Sequence, residues 1–301
     1  MPAIGAPAAY KRMRSGFEDP GMMSTSLEAI EASIAAKVAG NHGDEVTAAL
    51  ANAPGGLQLL PSESYGNGWL RVRHHGIDLD AWPKQGDPYR EIYKVKGKWY
   101  ALFREEWINP SGLTQRQGGG TFKRTCTYLD IAQSFHQTIA NTYHPNSYAH
   151  YGADLERRSF GEVIWEIDGN CADPEGWRNW PILSDTRQGK LELVRWDPNY
   201  HGKTFVEHPV FASPNSINAS ATPISNIGGS KSIHATILPA SAPGDQTVPA
   251  LSADHQLNSG RFKAIFRQSG YEHQSSYKDA RAIASTLYSI VRIAEKATWK
   301  C

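Results

Sequence analysis

Two turns in this chain hold residues suited to acid–base chemistry. The first is Pro243-Gly244-Asp245-Gln246-Thr247-Val248-Pro249 and the second is Gly270-Tyr271-Glu272-His273. Each follows a run that reads as a strand. Ile233-His234-Ala235-Thr236-Ile237-Leu238 precedes the aspartate, and Arg261-Phe262-Lys263-Ala264-Ile265-Phe266 precedes the histidine. In open α/β sheets, ligand chemistry gathers at the carboxyl ends of strands. A histidine placed there takes a proton from a nucleophile, while a fixed carboxylate holds its tautomer and stabilises the imidazolium. Aspartate before histidine is also the order of the last two members of one kind of serine triad, whose nucleophile comes first. The competing reading of the same residues is an exposed turn aspartate and a solvated histidine.

A triad needs a nucleophile. No serine here has glycine at both the second position before and the second position after it, so there is no Gly-x-Ser-x-Gly elbow. The nearest approach is Ser230 in Gly228-Gly229-Ser230-Lys231-Ser232, which lacks the second glycine and follows polar, turn-rich sequence. An elbow needs a strand, a sharp turn and then a helix. Ser230 therefore reads as a loop serine, and no nucleophile is assigned. His136, His144 and His150, with Asp154 nearby, are the residues to weigh for a metal. They lack the four-residue spacing that stacks two ligands on one helix face, and their neighbourhood is rich in tyrosine. Aromatic packing is the reading, with neither a metal nor a cofactor expected. Arg71, Arg73, His74 and His75 form a basic cluster that reads as a solvated face, with contact to a lipid phosphate as the alternative.

The elements that must position Asp245 and His273 belong to a chain of 301 residues, enough for one large domain or two smaller ones. Hydrophobic residues make up 40%, and 9 Trp and 13 Tyr supply large apolar area for a packed core. The 31 Lys and Arg balance the 30 Asp and Glu, which argues against a nucleic-acid-binding protein or a cationic membrane-surface protein. No run of about 18 apolar residues is present, so no transmembrane helix is expected. The start lacks the basic-then-apolar pattern of a secretory signal. The three cysteines, Cys126, Cys171 and Cys301, form no C-x-x-C pair. Reduced thiols are one reading, and a Cys126–Cys171 disulfide in an oxidising compartment is the other.

Along the chain, Met1 to Arg14 reads as a turn opening a short helix, with Pro7 in its first turn. Leu27, Ile30, Ile34 and Val38 make one apolar helix face. Asn41-His42-Gly43 breaks the pattern, and a second helix runs through Val46 and Leu50. Ala53 to Pro61 is an apolar loop whose Leu59 and Leu60 either pack in the core or line an acyl cleft. The middle section shows strand-like runs at Glu91–Val95, Trp99–Phe103, Val163–Ile167 and Leu191–Trp196, with a hairpin turn over 95–99. One helix there carries Ile131, Phe135, Ile139 and Tyr143 at i, i+4 steps and ends at His144-Pro145. The last helix, through Tyr277, Ala280, Ala284, Leu287, Val291 and Ala294, is amphipathic and should pack on the sheet behind His273.

Gly244-Asp245-Gln246-Thr247-Val248-Pro249 resembles the acid loop of lipases of the α/β-hydrolase superfamily. Gly270-Tyr271-Glu272-His273-Gln274-Ser275-Ser276-Tyr277-Lys278-Asp279, continuing into 284–294, resembles the C-terminal end of bacterial type VI secretion lipase effectors, an antibacterial phospholipase class. Gly5-Ala6-Pro7, with Tyr10-Lys11-Arg12-Met13-Arg14, is similar to the segment that follows the nucleophile and its next strand in those lipases. The resemblance covers 1–72 and 233–298 and is looser between them. It implies Asp245 as the triad acid and His273 as the base, with Leu59, Leu60, Tyr65, Trp69 and Tyr271 as substrate-binding candidates. It implies a partial α/β-hydrolase fold, the half after the nucleophile. Residues 1–73 and 233–301 would form the sheet layer, and 74–232 an inserted mixed cap. The substrate would be a phospholipid or another lipid ester. Partners would be a secretion spike, an immunity protein and an N-terminal half on a separate chain. The protein would be made in the cytoplasm, leave without a signal peptide and act in the periplasm of a target bacterium. The other function class open to these residues is a non-catalytic docking module whose triad residues are relics. A sheet lacking its early strands would leave an unpaired edge, so an oligomeric or poorly soluble chain is expected.

Overall fold

The computed structural model describes residues 4–17, 40–112, 120–169, 176–194 and 232–297. The expected helix face at Leu27–Val38, Ser230, Cys171 and Cys301 lie outside these residues. Ten strands are described: β1 Leu70–His74, β2 Ile77–Trp82, β3 Tyr148–Gly152, β4 Asp154–Ser159, β5 Val163–Ile167, β6 Ile182–Asp185, β7 Lys190–Val194, β8 Ser232–Ile237, β9 Ala242–Gly244 and β10 Ala264–Gln268. The longer helices are α1 Ala8–Ser15, α2 Gly43–Leu50, α3 Phe122–Ile139, α4 Ala250–Asn258 and α5 Ala280–Ala294. The fold is mixed α/β.

Six strands form a sheet in the order β2-β1-β5-β8-β7-β6, with β1 and β5 parallel and the other neighbours antiparallel. The β1–β2 hairpin turns at His75 and Gly76, both at positive φ (50° and 78°). That pair of left-handed residues matches the right-handed twist of the flanking strands. Alternation sets the buried face: Leu70 and Val72 of β1, Leu191 and Leu193 of β7, and Ile233 and Ala235 of β8 all point into the core. Arg71 and Arg73 lie on the other face of β1. They are not simply solvated: both pair with Asp78, at 2.6 and 2.5 Å, and Arg71 also reaches Glu162 at 2.8 Å. Trp165 of β5 shares that face, and against it sit Tyr10 and Met13 of α1, Trp177 and Tyr93.

The strand pairing departs from the expected layering. Ile233–Leu238 and Arg261–Phe266 were to share one sheet. Instead β8 lies between β5 and β7, and β10 pairs in parallel with β3 in a separate two-stranded sheet. Residues 74–232, expected as a cap, thus contribute strands to both sheets. A third small sheet joins β4 and β9 antiparallel.

Three local expectations also give way, each for a visible reason. Glu91–Val95 is not a strand, because Tyr89–Tyr93 forms a π-helical turn that buries Tyr89, Ile92 and Tyr93 together. Trp99–Phe103 is not a strand either, so the hairpin over 95–99 is absent. Its carbonyls find side chains in place of a ladder: Tyr10 donates to Tyr100 O (2.5 Å), and Arg14 donates to Ala101 O (2.5 Å) and Trp99 O (3.0 Å). Helix α3 has the expected period, but the face it buries is an adjoining one. Thr125, Leu129, Ala132 and His136 are buried, whereas Ile131 and Phe135 are exposed. Buried His136 explains the rotation. Gln58 O can only accept, so His136 Nε2 donates to it (2.9 Å) and Nδ1 accepts from the Tyr89 hydroxyl (2.5 Å).

Candidate active site

Parallel pairing brings the carboxyl ends of β3 and β10 to the same edge, at Gly152 and Gln268. The acid and base turns meet there. Asp245 does not leave β8 directly, as expected, but the short β9, which β4 holds through the Asp154–Gly244 pairing. Gln246 takes a left-handed conformation (φ 68°), and the turn closes with Asp245 N–H donating to Val248 O (3.3 Å). The chain approaches so closely that a methyl group at Gly152 would sit 2.7 Å from the Asp245 Cβ.

The base turn opens at Gly270, whose φ of 93° favours glycine, and Arg281 occupies the space where a Cβ would stand. Asp154 accepts from Gly270 N–H at 2.7 Å, tying the start of β4 to the base turn. Glu272 accepts from the N–H groups of Gln274 and Ser275, and the Ser276 hydroxyl donates to His273 O. Asp279 then caps α5 by accepting from Arg281 N and Ala282 N.

Asp245 and His273 are joined twice. The backbone N–H of His273 donates to Asp245 O at 3.0 Å, and Nδ1 lies 2.8 Å from Asp245 Oδ2. The other carboxylate oxygen, Oδ1, accepts from the N–H groups of Val248 (2.7 Å) and Thr247 (3.1 Å). A carboxylate oxygen facing Nδ1 can only accept, so in the neutral imidazole the proton sits on Nδ1 and the lone pair is on Nε2. Among the described residues no side chain bonds to Nε2. The Asp245 side chain is 9% exposed and that of His273 35% exposed, so the acid is sheltered and the base opens outward. The arrangement can accept a proton at Nε2 and stabilise the resulting imidazolium.

Beside the pair lies a cavity of about 390 Å³, walled by all five residues of β3 together with Val248, Gln256, Phe262 and Tyr271. Tyr271 is the one substrate-binding candidate that borders it. Burial, reinforced by the charges of Asp245 and Asp279, raises its hydroxyl to about 12, so it stays protonated. His150 also borders the cavity, 3.4 Å from the Tyr271 hydroxyl, and burial lowers its pKa below the usual histidine range. Leu60, Tyr65 and Trp69 are buried in the core cluster, and the Tyr65 hydroxyl donates to Gly161 O. Core packing, not cleft lining, is their place. Leu59 borders a second, apolar cavity of about 110 Å³ between α1 and α2, and Val248 lines both cavities.

Sequence reasoning passed over Gly152 and weighed Asp154 only as a possible metal neighbour. Gly152-Ala153-Asp154 carries the signal in retrospect: a glycine beside an aspartate at a strand end suits close backbone approach. No group of three or more His, Cys, Asp or Glu among the described residues could hold a metal ion. Cys126 is a half-buried free thiol. No helix among the described residues is long and apolar enough to cross a membrane.

The fold is similar to that of a chain in the solved Tle4–Tli4 complex. The two are 27% identical, with a TM-score of 0.68. The likeness covers 99% of this chain but 54% of the solved one, so this chain spans about half the length of the chain it matches. Neither a family model nor a curated protein matches the sequence.

Proposed function

We propose that this chain carries the acid and base of a serine lipase or phospholipase of the type VI secretion effector kind, with Asp245 orienting His273. The observation that carries the reading is the Asp245 carboxylate, held by two backbone N–H groups and bonded to Nδ1 of a histidine whose Nε2 meets no side chain among the described residues. In the reaction, a serine hydroxyl attacks the ester carbonyl while Nε2 takes its proton. The Asp245 carboxylate, 2.8 Å from Nδ1, stabilises the imidazolium, and the same proton then passes to the leaving alcohol. Backbone N–H groups near the nucleophile would hold the oxyanion. The resemblance of the acid and base turns to effector lipases and the structural likeness to a chain of the Tle4–Tli4 complex support this class. By the same reading, the substrate is a phospholipid or other lipid ester in a target cell's periplasm, and an immunity protein is a partner. The fold would be the part of an α/β-hydrolase that follows its nucleophile.

Triad members act as a unit, and losing the nucleophile alone costs on the order of a million-fold. This chain by itself should therefore hydrolyse a short-chain nitrophenyl ester no faster than background. Supplying a nucleophile-bearing segment should restore turnover, and His273→Ala should abolish it. Turnover by the unaccompanied chain that His273→Ala removes would mean that one of its own residues is the nucleophile, and Ser230→Ala would be the next variant to assay.

A further inference from the structure

Helices α1 and α2 touch closely at one end, where a methyl group at Gly43 would lie 2.6 Å from the Arg14 backbone. Farther along both helices they part and leave the second, apolar cavity, of about 110 Å³. Its floor includes the buried Ala9, Val46 and Val248, and its rim is Arg12, Phe17 and Ala49. Ala49 is exposed, so the cavity opens to solvent there. Interiors are close-packed, and voids larger than a water molecule are few. A cavity walled by hydrocarbon stays dry and takes up small apolar molecules. One of about 150 Å³ accepts benzene, so this one has room for an alkyl chain of about four or five carbons. Among the described residues that line it, Arg12 alone carries a charge. Its guanidinium lies 4.5 Å from the Phe17 ring centre and donates to the Thr247 hydroxyl at 3.4 Å. A dry slot with a guanidinium at its rim suits a hydrocarbon tail that ends in an anion. A carboxylate matches the planar fork and its single charge, whereas an alkyl phosphate brings nearly two charges to one cation.

We propose that this cavity binds a short fatty carboxylate, with its tail between α1 and α2 and its carboxylate on Arg12, and that occupancy reaches the Asp245–His273 pair through Thr247 and Val248. The route is short. Thr247 and Val248 line the cavity, and their N–H groups are the donors that hold Asp245 Oδ1, at 3.1 and 2.7 Å. Val248 also lines the cavity beside the pair. A carboxylate that draws Arg12 toward itself loosens the bond to the Thr247 hydroxyl. A tail pressed on Val248 acts on the shorter of the two bonds to the acid. The ligand and the acid turn are then coupled, and such coupling is reciprocal. Hydrolysis of a lipid ester releases a carboxylate of this class, so the site is placed to report product to the acid. That role alone rests on the reading of Asp245 and His273 as acid and base.

The test titrates hexanoate into the full chain, followed by calorimetry and by long-range nitrogen–proton spectra of the imidazoles. Saturable one-to-one binding is expected. Affinity should rise about fourfold per methylene from butanoate to hexanoate, the increment for burying a CH₂ group, and by less than about twofold per methylene beyond it. The His273 ring signals should move with the midpoint of binding, while those of His74 on β1 stay in place. Ala49→Phe, at the exposed mouth, should weaken hexanoate at least about tenfold. Arg12→Gln, which keeps a donor for Thr247, should weaken hexanoate about tenfold and leave hexanol within about twofold. The proposal is overturned if hexanoate does not saturate, which would make the cavity a packing void only. It is equally overturned if affinity is indifferent to chain length, if both variants bind hexanoate as before, or if binding leaves the His273 signals unmoved. Ester hydrolysis is read separately. Turnover that survives His273→Ala, in a protein that binds hexanoate as expected, would refute the acid–base reading and leave the site standing.

Discussion

Replacing Asp245 with asparagine should reverse the tautomer of His273. In the native arrangement Oδ1 accepts from Val248 N–H (2.7 Å) and Thr247 N–H (3.1 Å), while Oδ2 faces Nδ1 at 2.8 Å. Asparagine keeps one oxygen, and the two backbone donors hold it in the Oδ1 position. Its amide nitrogen must then face Nδ1. Two donors cannot share that contact, so Nδ1 gives up its proton, accepts from the amide, and Nε2 becomes the protonated nitrogen. The stability cost is small. All three hydrogen bonds lose the carboxylate charge but are kept, a cost of about 1–2 kcal/mol, discounted at the histidine because its side chain is 35% exposed. Alanine removes all three hydrogen bonds and strands two backbone donors, at about 1 kcal/mol each, for a cost of about 3 kcal/mol. Long-range nitrogen–proton correlation spectra of the imidazole read the tautomer directly, and urea melts read the stabilities. In a completed active site, asparagine should lower turnover on the order of ten-thousand-fold, because a protonated Nε2 cannot act as base. A variant that keeps its proton on Nδ1 would refute this account. So would an alanine variant no less stable than the asparagine one.

Gly152→Ala should push the acid aside, since its methyl group would lie 2.7 Å from the Asp245 Cβ; a loss of about 1–3 kcal/mol and disappearance of the Asp245–His273 contact are expected in melts and spectra. His136 is held neutral by burial, with its pKa below the unfolded value of about 6.5. Its contribution to stability is therefore fully present above that pH and lost as pH falls from it through the lower folded value, and His136→Leu should flatten that part of a stability–pH curve. Arg14→Met should cost about 3–5 kcal/mol in urea melts, because it leaves the carbonyls of Trp99 and Ala101 without their donor and Asp185 with one cation fewer.

The two turns that hold Asp245 and His273 were legible in the sequence because turn chemistry is local. Gly270 supplies the positive φ that opens its turn, and at Gly244 a Cβ would collide with Ser159 and the Val248 carbonyl, so that turn needs glycine there. Their mutual contact was legible only through order and resemblance, since nothing in 28 residues of spacing dictates a 2.8 Å distance. Strand pairing was not legible. β8 and β10 look alike as short apolar runs, yet one enters a six-stranded sheet and the other joins β3 across more than a hundred residues. The α3 face was misread because Ile131 and Phe135 outweigh Leu129 and Ala132 in apolar content, whereas the buried Tyr89–His136–Gln58 bonds decide the rotation. Trp99–Phe103 has strand composition, but Tyr10 and Arg14 satisfy its carbonyls from 85 to 90 residues away.

The two turns are braced in a way that bears on mechanism. A base works only if its carboxylate partner is in place before the proton moves, because reorganisation during the reaction raises the barrier. Here the His273 N–H to Asp245 O bond fixes the spacing of the turns through backbone, independent of any charge on the side chains. Asp154 fixes the base turn from one side and β4 fixes the acid turn through the same residue's pairing with Gly244. Thr247 carries the brace further, since its hydroxyl accepts from Arg12 of α1, which packs on the main core. The geometry of the pair is thus set by main-chain contacts and by elements on both sheets. These contacts hold the His273 ring against the Asp245 carboxylate through backbone as well as side chain.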